Sequence, residues 1–234
     1  MLSYETERRL KSLLQATGEG EQQLESLRQR LCSIPDFAPF SAFQRVDRDA
    51  KDFVNSSDIL AFLRHNNVFG ITEAESYRLV KFFDSDEDGR LSFEDFEQIF
   101  LPCEDNFLRQ RTQERRATRV GRWDFLPRDI ESAMASILER ELDLQRREEI
   151  LKRDCEYRHD YTQYNAYRSI DKYNDGRIDS FNLGQFFRAQ GHYASERELL
   201  AVIRRIDTDG DAKISFSEWS DFLRSCEPAP RQTL

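Results

Sequence analysis

Asp207-Thr208-Asp209-Gly210-Asp211-Ala212-Lys213-Ile214-Ser215-Phe216-Ser217-Glu218 places side-chain oxygens at places 1, 3, 5, 9 and 12 of a twelve-residue stretch, with an aliphatic residue at place 8. Three more stretches follow the same plan: Asp47 to Asp58, Asp84 to Asp95 and Asp171 to Asn182. Their first residues lie 37 apart in the first pair and 36 apart in the second. A hard cation such as calcium takes about six to eight oxygens, and a short loop can supply them only by wrapping around the ion at such a spacing. The paired spacing predicts two lobes, each built from two loops.

In the fourth stretch Asp207, Asp209 and Asp211, the Lys213 carbonyl, Ser215 through a water and Glu218 with both carboxylate oxygens form a complete ligand set. Ala212 stands at place 6, where the turn needs a positive φ that glycine meets without strain; alanine costs about 1 kcal/mol there. The second stretch offers Asp84, Asp86 and Asp88, then Gly89 at place 6, the Arg90 carbonyl, Ser92 and Asp95. Asp95 is one methylene shorter than glutamate and reaches an ion with both oxygens only if the loop contracts. That predicts weak calcium affinity, or magnesium, at residues 84–95. The odd stretches are damaged. The first has Lys51 at place 5, Asp52 at place 6 and Asp58 at place 12; the third has Tyr173 at place 3 and Asn182 at place 12. Both are expected to be silent loops kept as pairing partners, leaving one ion per lobe.

The flanks carry apolar residues at helical spacing before and after every loop, for example Phe83, Val80 and Leu79, then Phe96, Ile99 and Phe100. The place-8 residues Val54, Leu91, Ile178 and Ile214 are the expected bridge contacts between paired loops. Thr72 with Glu75 and Ser195 with Glu198 have capping-box spacing. On these residues the chain resembles the EF-hand superfamily, of the calmodulin and centrin kind, over about residues 38–105 and 158–226. The expected fold is all-α: two EF-hand pair lobes, each with a short β-bridge, joined by a long helical connector and preceded by an N-terminal helical extension. The divisions are 1–37 for the extension, 38–105 for the first pair, 106–157 for the basic and helical connector, 158–226 for the second pair and 227–234 for a flexible tail. A narrower resemblance is carried by Leu101-Pro102-Cys103 and the charged helix after it. It is to EF-hand proteins of cilia and of the cortical cytoskeleton of ciliated protists, and it implies a cytoplasmic, ciliary, axonemal or cytoskeletal setting.

Composition fits a two-lobed protein: 234 residues, 34% charged, 38% hydrophobic, net charge −9. There is no apolar run long enough to span a membrane and no apolar targeting start, and position 2 is Leu, which removes the myristoylation signal. Cys32, Cys103, Cys155 and Cys226 have no metal-ligand spacing and read as reduced thiols. His65, His159 and His192 are scattered, and no glycine-rich phosphate loop is present, so no catalytic or cofactor-binding residue is assigned and the chain is read as a non-enzyme.

Residues 3–33 read as a charged amphipathic helix, interrupted around Gly18 and Gly20, with Leu10, Leu13, Leu14, Leu24, Leu27 and Leu31 on apolar faces. It either folds back on the first lobe or serves as a coiled-coil docking arm. Arg109, Arg111, Arg115, Arg116, Arg119 and Arg122, against Glu114 alone, form a basic tract that suits an acidic partner surface or the acidic lobes of the same molecule. With only Trp123 and Phe125 to stack on bases, nucleic acid is disfavoured. From Pro127 a long helix is predicted, with no glycine or proline before Gly176 to keep it from running into the third hand. Its apolar stripe must pack on its own chain or on a partner helix. Eighteen Phe and only Met1 and Met134 make stiff grooves, suited to one dedicated partner. The leading expectation is a calcium-binding regulatory adaptor that holds a dedicated amphipathic helix or docks on a cytoskeletal or microtubule assembly. The alternative is a static structural component of a ciliary microtubule assembly with little calcium response.

Overall fold

The computed structural model describes residues 2–224, so the expected tail at 227–234 and Cys226 lie outside the described residues. Eleven α-helices are present in the described part: α1 (Tyr4–Ser33), α2 (Pro39–Val46), α3 (Ser56–His65), α4 (Glu73–Phe83), α5 (Phe93–Phe100), α6 (Asn106–Gln113), α7 (Arg128–Glu156), α8 (Gln163–Ile170), α9 (Ser180–Ala189), α10 (Glu196–Ile206) and α11 (Phe216–Leu223). The fold is all-α, with the eight expected hand helices at α2–α5 and α8–α11. The only β pairing among the described residues is two isolated antiparallel bridges, Val54 with Leu91 and Ile178 with Ile214. Each bridge exchanges both backbone bonds, at 2.9 and 2.8 Å in either pair.

The hand helices start where they do because loop chemistry and capping chemistry share residues. Place 9 is the N-cap and place 12 is N3, the spacing of a capping box. Asn55 with Asp58, Ser92 with Asp95, and Ser215 with Glu218 close reciprocal boxes at the starts of α3, α5 and α11. At α9 the box is half made: Asp179 accepts from the Asn182 N–H, and an amide replaces the acid that would reach back. Thr72 and Glu75 form the expected box at α4. The expected Ser195–Glu198 box is also half made, because the Glu198 carboxylate pairs with His192 Nε2 at 2.8 Å.

The chain divides into two compact units, residues 1–22 with 144–234 and residues 23–143. In the second of these α2 packs with α5 and α3 with α4; in the first, α8 packs with α11 and α9 with α10. Each unit buries an arginine on carboxylates. In the 23–143 unit Arg45 of α2 donates to both Glu131 oxygens, at 2.5 and 2.9 Å, and its guanidinium lies over the rings of Phe62 and Phe125. In the other unit Arg205 of α10 faces Glu21 and Glu148, each at 3.5 Å, and the Thr17 hydroxyl donates to Glu148.

Two sequence expectations are corrected. α1 is unbroken through Gly18 and Gly20. Both glycines buy proximity: a Cβ on Gly18 would sit 3.0 Å from Val202 Cγ2, and one on Gly20 would sit 2.4 Å from Leu144 Cδ1. α7 does not run into the third hand. It ends at Glu156, and the chain turns before Thr162 caps α8 by accepting from the Asn165 N–H at 3.0 Å. The stripe of α7 is covered within its own chain at Ile130, Met134, Ile137, Leu138, Leu142 and Leu144, while Ile150 is exposed.

Candidate metal centre

All four loops share one chassis. At place 6 the backbone is left-handed whatever the residue: Asp52 has φ 64°, Gly89 82°, Gly176 75° and Ala212 61°. This turns the place-6 N–H onto the place-1 carboxylate, as Asp52 to Asp47 (2.8 Å), Gly89 to Asp84 (2.7 Å), Gly176 to Asp171 (3.2 Å) and Ala212 to Asp207 (2.8 Å). Ala212 therefore carries the strained conformation itself, and Gly210 has its own positive φ of 76°.

The loops differ in what fills them. In the second, one carboxylate oxygen from each of Asp84, Asp86 and Asp88 falls within 4.8 Å of the others, and in the fourth Asp207, Asp209 and Asp211 do the same. The N–H of Arg90 steadies Asp88 at 2.8 Å and that of Lys213 steadies Asp211 at 2.9 Å, so the residues offering place-7 carbonyls also fix the place-5 carboxylates. The Asp88 N–H favours the Asp86 carboxylate, but Asp84 and Asp88 crowding it outweigh this and hold its pKa above the usual range. Three converging hard oxygen donors with unrelieved mutual repulsion suit a small divalent cation.

The place-12 residues stand outside these triads and act as latches. Glu218 accepts from the Thr208 and Asp209 N–H groups at 2.8 and 3.3 Å with one oxygen, and from the N–H and hydroxyl of Ser215 at 2.8 and 2.7 Å with the other. Burial pushes this carboxyl up, yet these hydrogen bonds prevail and bring it down to about 2. Asp95, though shorter, spans the equivalent ends: the Ser85 hydroxyl at 2.7 Å and the Ser92 hydroxyl at 2.8 Å. Its pKa is lowered in the same way, burial opposing and the serine hydrogen bonds winning.

Carboxylates of the odd loops are met by cationic side chains, one from within the loop and one from the helix before it. Lys51 Nζ sits 2.6 Å from the place-12 carboxylate of Asp58, which also accepts from the Asn55 N–H. Asp49 pairs with Arg122 at 3.0 Å. In the third loop Arg168 reaches the Asp171 carboxylate at 3.3 Å, Tyr173 points to solvent, and the Asn182 side-chain nitrogen is buried without an acceptor. Arg177 crosses from the third loop to Asp211 of the fourth at 2.9 Å. Side-chain reach of this kind is invisible to ligand counting, although Lys51 at a ligand place signalled the first case.

A family model for the EF-hand domain pair matches residues 40–101. Residues 40–101 are an EF-hand domain pair. The second pair of loops lies outside the matched residues and repeats the same chassis and bridge. Calcium is the ion such loops bind, and the residues present fit it. Over 58 residues the chain is 33% identical to the mitochondrial adenyl nucleotide antiporter SLC25A24 of Mus musculus and 36% identical to calcium-binding protein 8 of Homo sapiens. Each of these matches covers 25% of the chain, and 12% and 22% of those proteins respectively. It is 25% identical to centrin-3 of Homo sapiens over 178 residues, 76% of either chain.

The basic tract is partly spent on structure. Arg115 donates to the carbonyls of Cys32, Ile34 and Phe37 at 2.7–2.8 Å, holding the end of α1, and Arg109 donates to Pro102 O and Gln98. Arg111, Arg116 and Arg119 are exposed, as are Phe107, Trp123 and Phe125. The histidines share no site: His192 is held by Glu198, and His65 meets Phe125 edge-on. Among the described residues no helix is long and apolar enough to cross a membrane.

Proposed function

We propose that this chain is a non-catalytic, calcium-responsive regulatory adaptor that takes one ion in the second loop and one in the fourth and engages a dedicated protein partner. The observation that carries this reading is the pair of carboxylate triads at Asp84, Asp86, Asp88 and Asp207, Asp209, Asp211, set beside two loops whose acids are answered by Lys51 and Arg168. Asp95 and Glu218 are the residues that would offer a place-12 carboxylate to a bound ion; doing so would exchange their latch hydrogen bonds, and α5 and α11, whose first turns hold them, would move with the exchange. Trp219, next to Glu218 and fully buried, reports that motion. Exposed Arg111, Arg116 and Arg119 with Trp123 and Phe125 support an acidic protein surface as the partner, and the ciliary or cytoskeletal setting is proposed from the sequence resemblance.

Titration calorimetry on the full chain tests this. Uptake of two ions is expected, with Asp84→Ala and Asp207→Ala each removing one and magnesium competing mainly at residues 84–95. Retention of neither metal at millimolar concentration would end the proposal. The second reading, a static component, draws on Lys51 and Arg168, cationic side chains paired with carboxylates of the first and third loops. It predicts that Trp219 emission stays unchanged on calcium addition.

A further inference from the structure

The apolar groove of the second EF-hand pair is already occupied. Leu10, Leu13 and Leu14 of α1 are fully buried, and with Leu2 they form one apolar cluster with the hand residues, including Phe186, Phe187 and Trp219. Their spacing is that of one helix face, continued by the buried Thr6 and Thr17. Polar contacts fix the register along the same helix. The Ser3 N–H and Thr6 hydroxyl donate to Asp160 at 2.6 and 2.7 Å, Arg9 pairs with Asp154 at 2.9 Å, and Gln190 donates to Glu7 at 2.7 Å. α1 comes close to α10 at Gly18, where a side chain would press on Val202 and on the Glu198 backbone.

We propose that residues 2–18 are the dedicated occupant of this groove, supplied in cis, and that an outside amphipathic helix is excluded from it whether or not the fourth loop holds calcium. The stiffness of a Phe-lined groove with one buried Met in the whole described chain fits a fixed occupant better than a series of exchanging ones. Leucines at i, i+3 and i+4 supply the face such a groove takes from a target helix. The inference refines the adaptor reading: the partner must then be met elsewhere than in this groove.

The test uses the full chain and a synthetic peptide copying residues 2–22. In the wild-type protein, amides of residues 8–18 should exchange slowly with calcium and with chelator, and the peptide should not bind. Leu13→Asp should speed exchange of those amides by roughly 100-fold and let the peptide bind in trans. Binding of the peptide to the wild-type chain with loss of α1 protection overturns the proposal, as does rapid exchange of residues 8–18 in the wild type. The wild-type arm decides the matter even if Leu13→Asp fails to fold. Calorimetry on the same samples keeps the two ideas apart: a chain that takes up no calcium but protects α1 defeats the calcium reading and leaves the cis occupant standing.

Discussion

Lys51 stands at place 5, a ligand place of the first loop, and its ammonium lies 2.6 Å from the place-12 carboxylate of Asp58. Replacing Lys51 with Asp and Asp52 with Gly restores an oxygen at place 5 and relieves the left-handed residue at place 6. Calorimetric stoichiometry should rise from about two to about three ions per chain. Ala212 bears φ 61° in a loop that is otherwise complete, so Ala212→Gly should tighten calcium there by roughly fivefold, about 1 kcal/mol, in the same titration. Glu218 fixes an acid limit. Its carboxyl lies at about 2 against an ordinary 4.5, so the latch contributes fully above pH 4.5 and is lost as pH falls toward 2. Metal-free Trp219 emission, read in a Trp123→Phe background, should change over that window, and Glu218→Gln should abolish the change.

Helix α1 is the element on which sequence and structure part most. Two glycines inside a helical pattern read as an interruption, since each costs about 1 kcal/mol against alanine, but α10 and Leu144 sit where side chains would be. Gly20→Ala should therefore destabilise the chain by about 1 kcal/mol in urea unfolding despite its better helix propensity. Trimming Leu144 to Ala in the same chain should remove the clash, giving a non-additive double-mutant cycle. The start of α1 rests on Asp160, whose pKa is lowered chiefly by the Ser3 N–H and then by the Thr6 hydroxyl. That support is present above the ordinary aspartate range and is lost as pH falls below it. Asp160→Asn should raise hydrogen exchange at residues 3–7 at neutral pH and leave metal stoichiometry unchanged.

At the scale of the whole molecule, stability depends on charges that no periodicity reveals. Arg45 is 1% exposed, and its carboxylate partner among the described residues is Glu131, from a helix far along the chain, so Glu131→Ala should cost about 3–5 kcal/mol in urea unfolding by stranding a buried guanidinium. What the sequence made legible was whatever depends on local spacing. The four loops, the eight hand helices and the bridges at Val54, Leu91, Ile178 and Ile214 follow from ligand and cap positions a few residues apart. What it concealed depends on which of several side chains in reach a group takes as partner: the stop of α7 before Thr162, the diversion of Glu198 to His192, and the reach of Arg177 to Asp211. The single methylene that separates Asp95 from Glu218 then bears on timing. Were magnesium to seat first in the second loop, as its short place-12 acid predicts, calcium would arrive there only as fast as magnesium left, whereas the fourth loop would fill on contact. A transient pulse would write to one half of the molecule and a sustained rise to both, so the protein would measure how long a signal lasts.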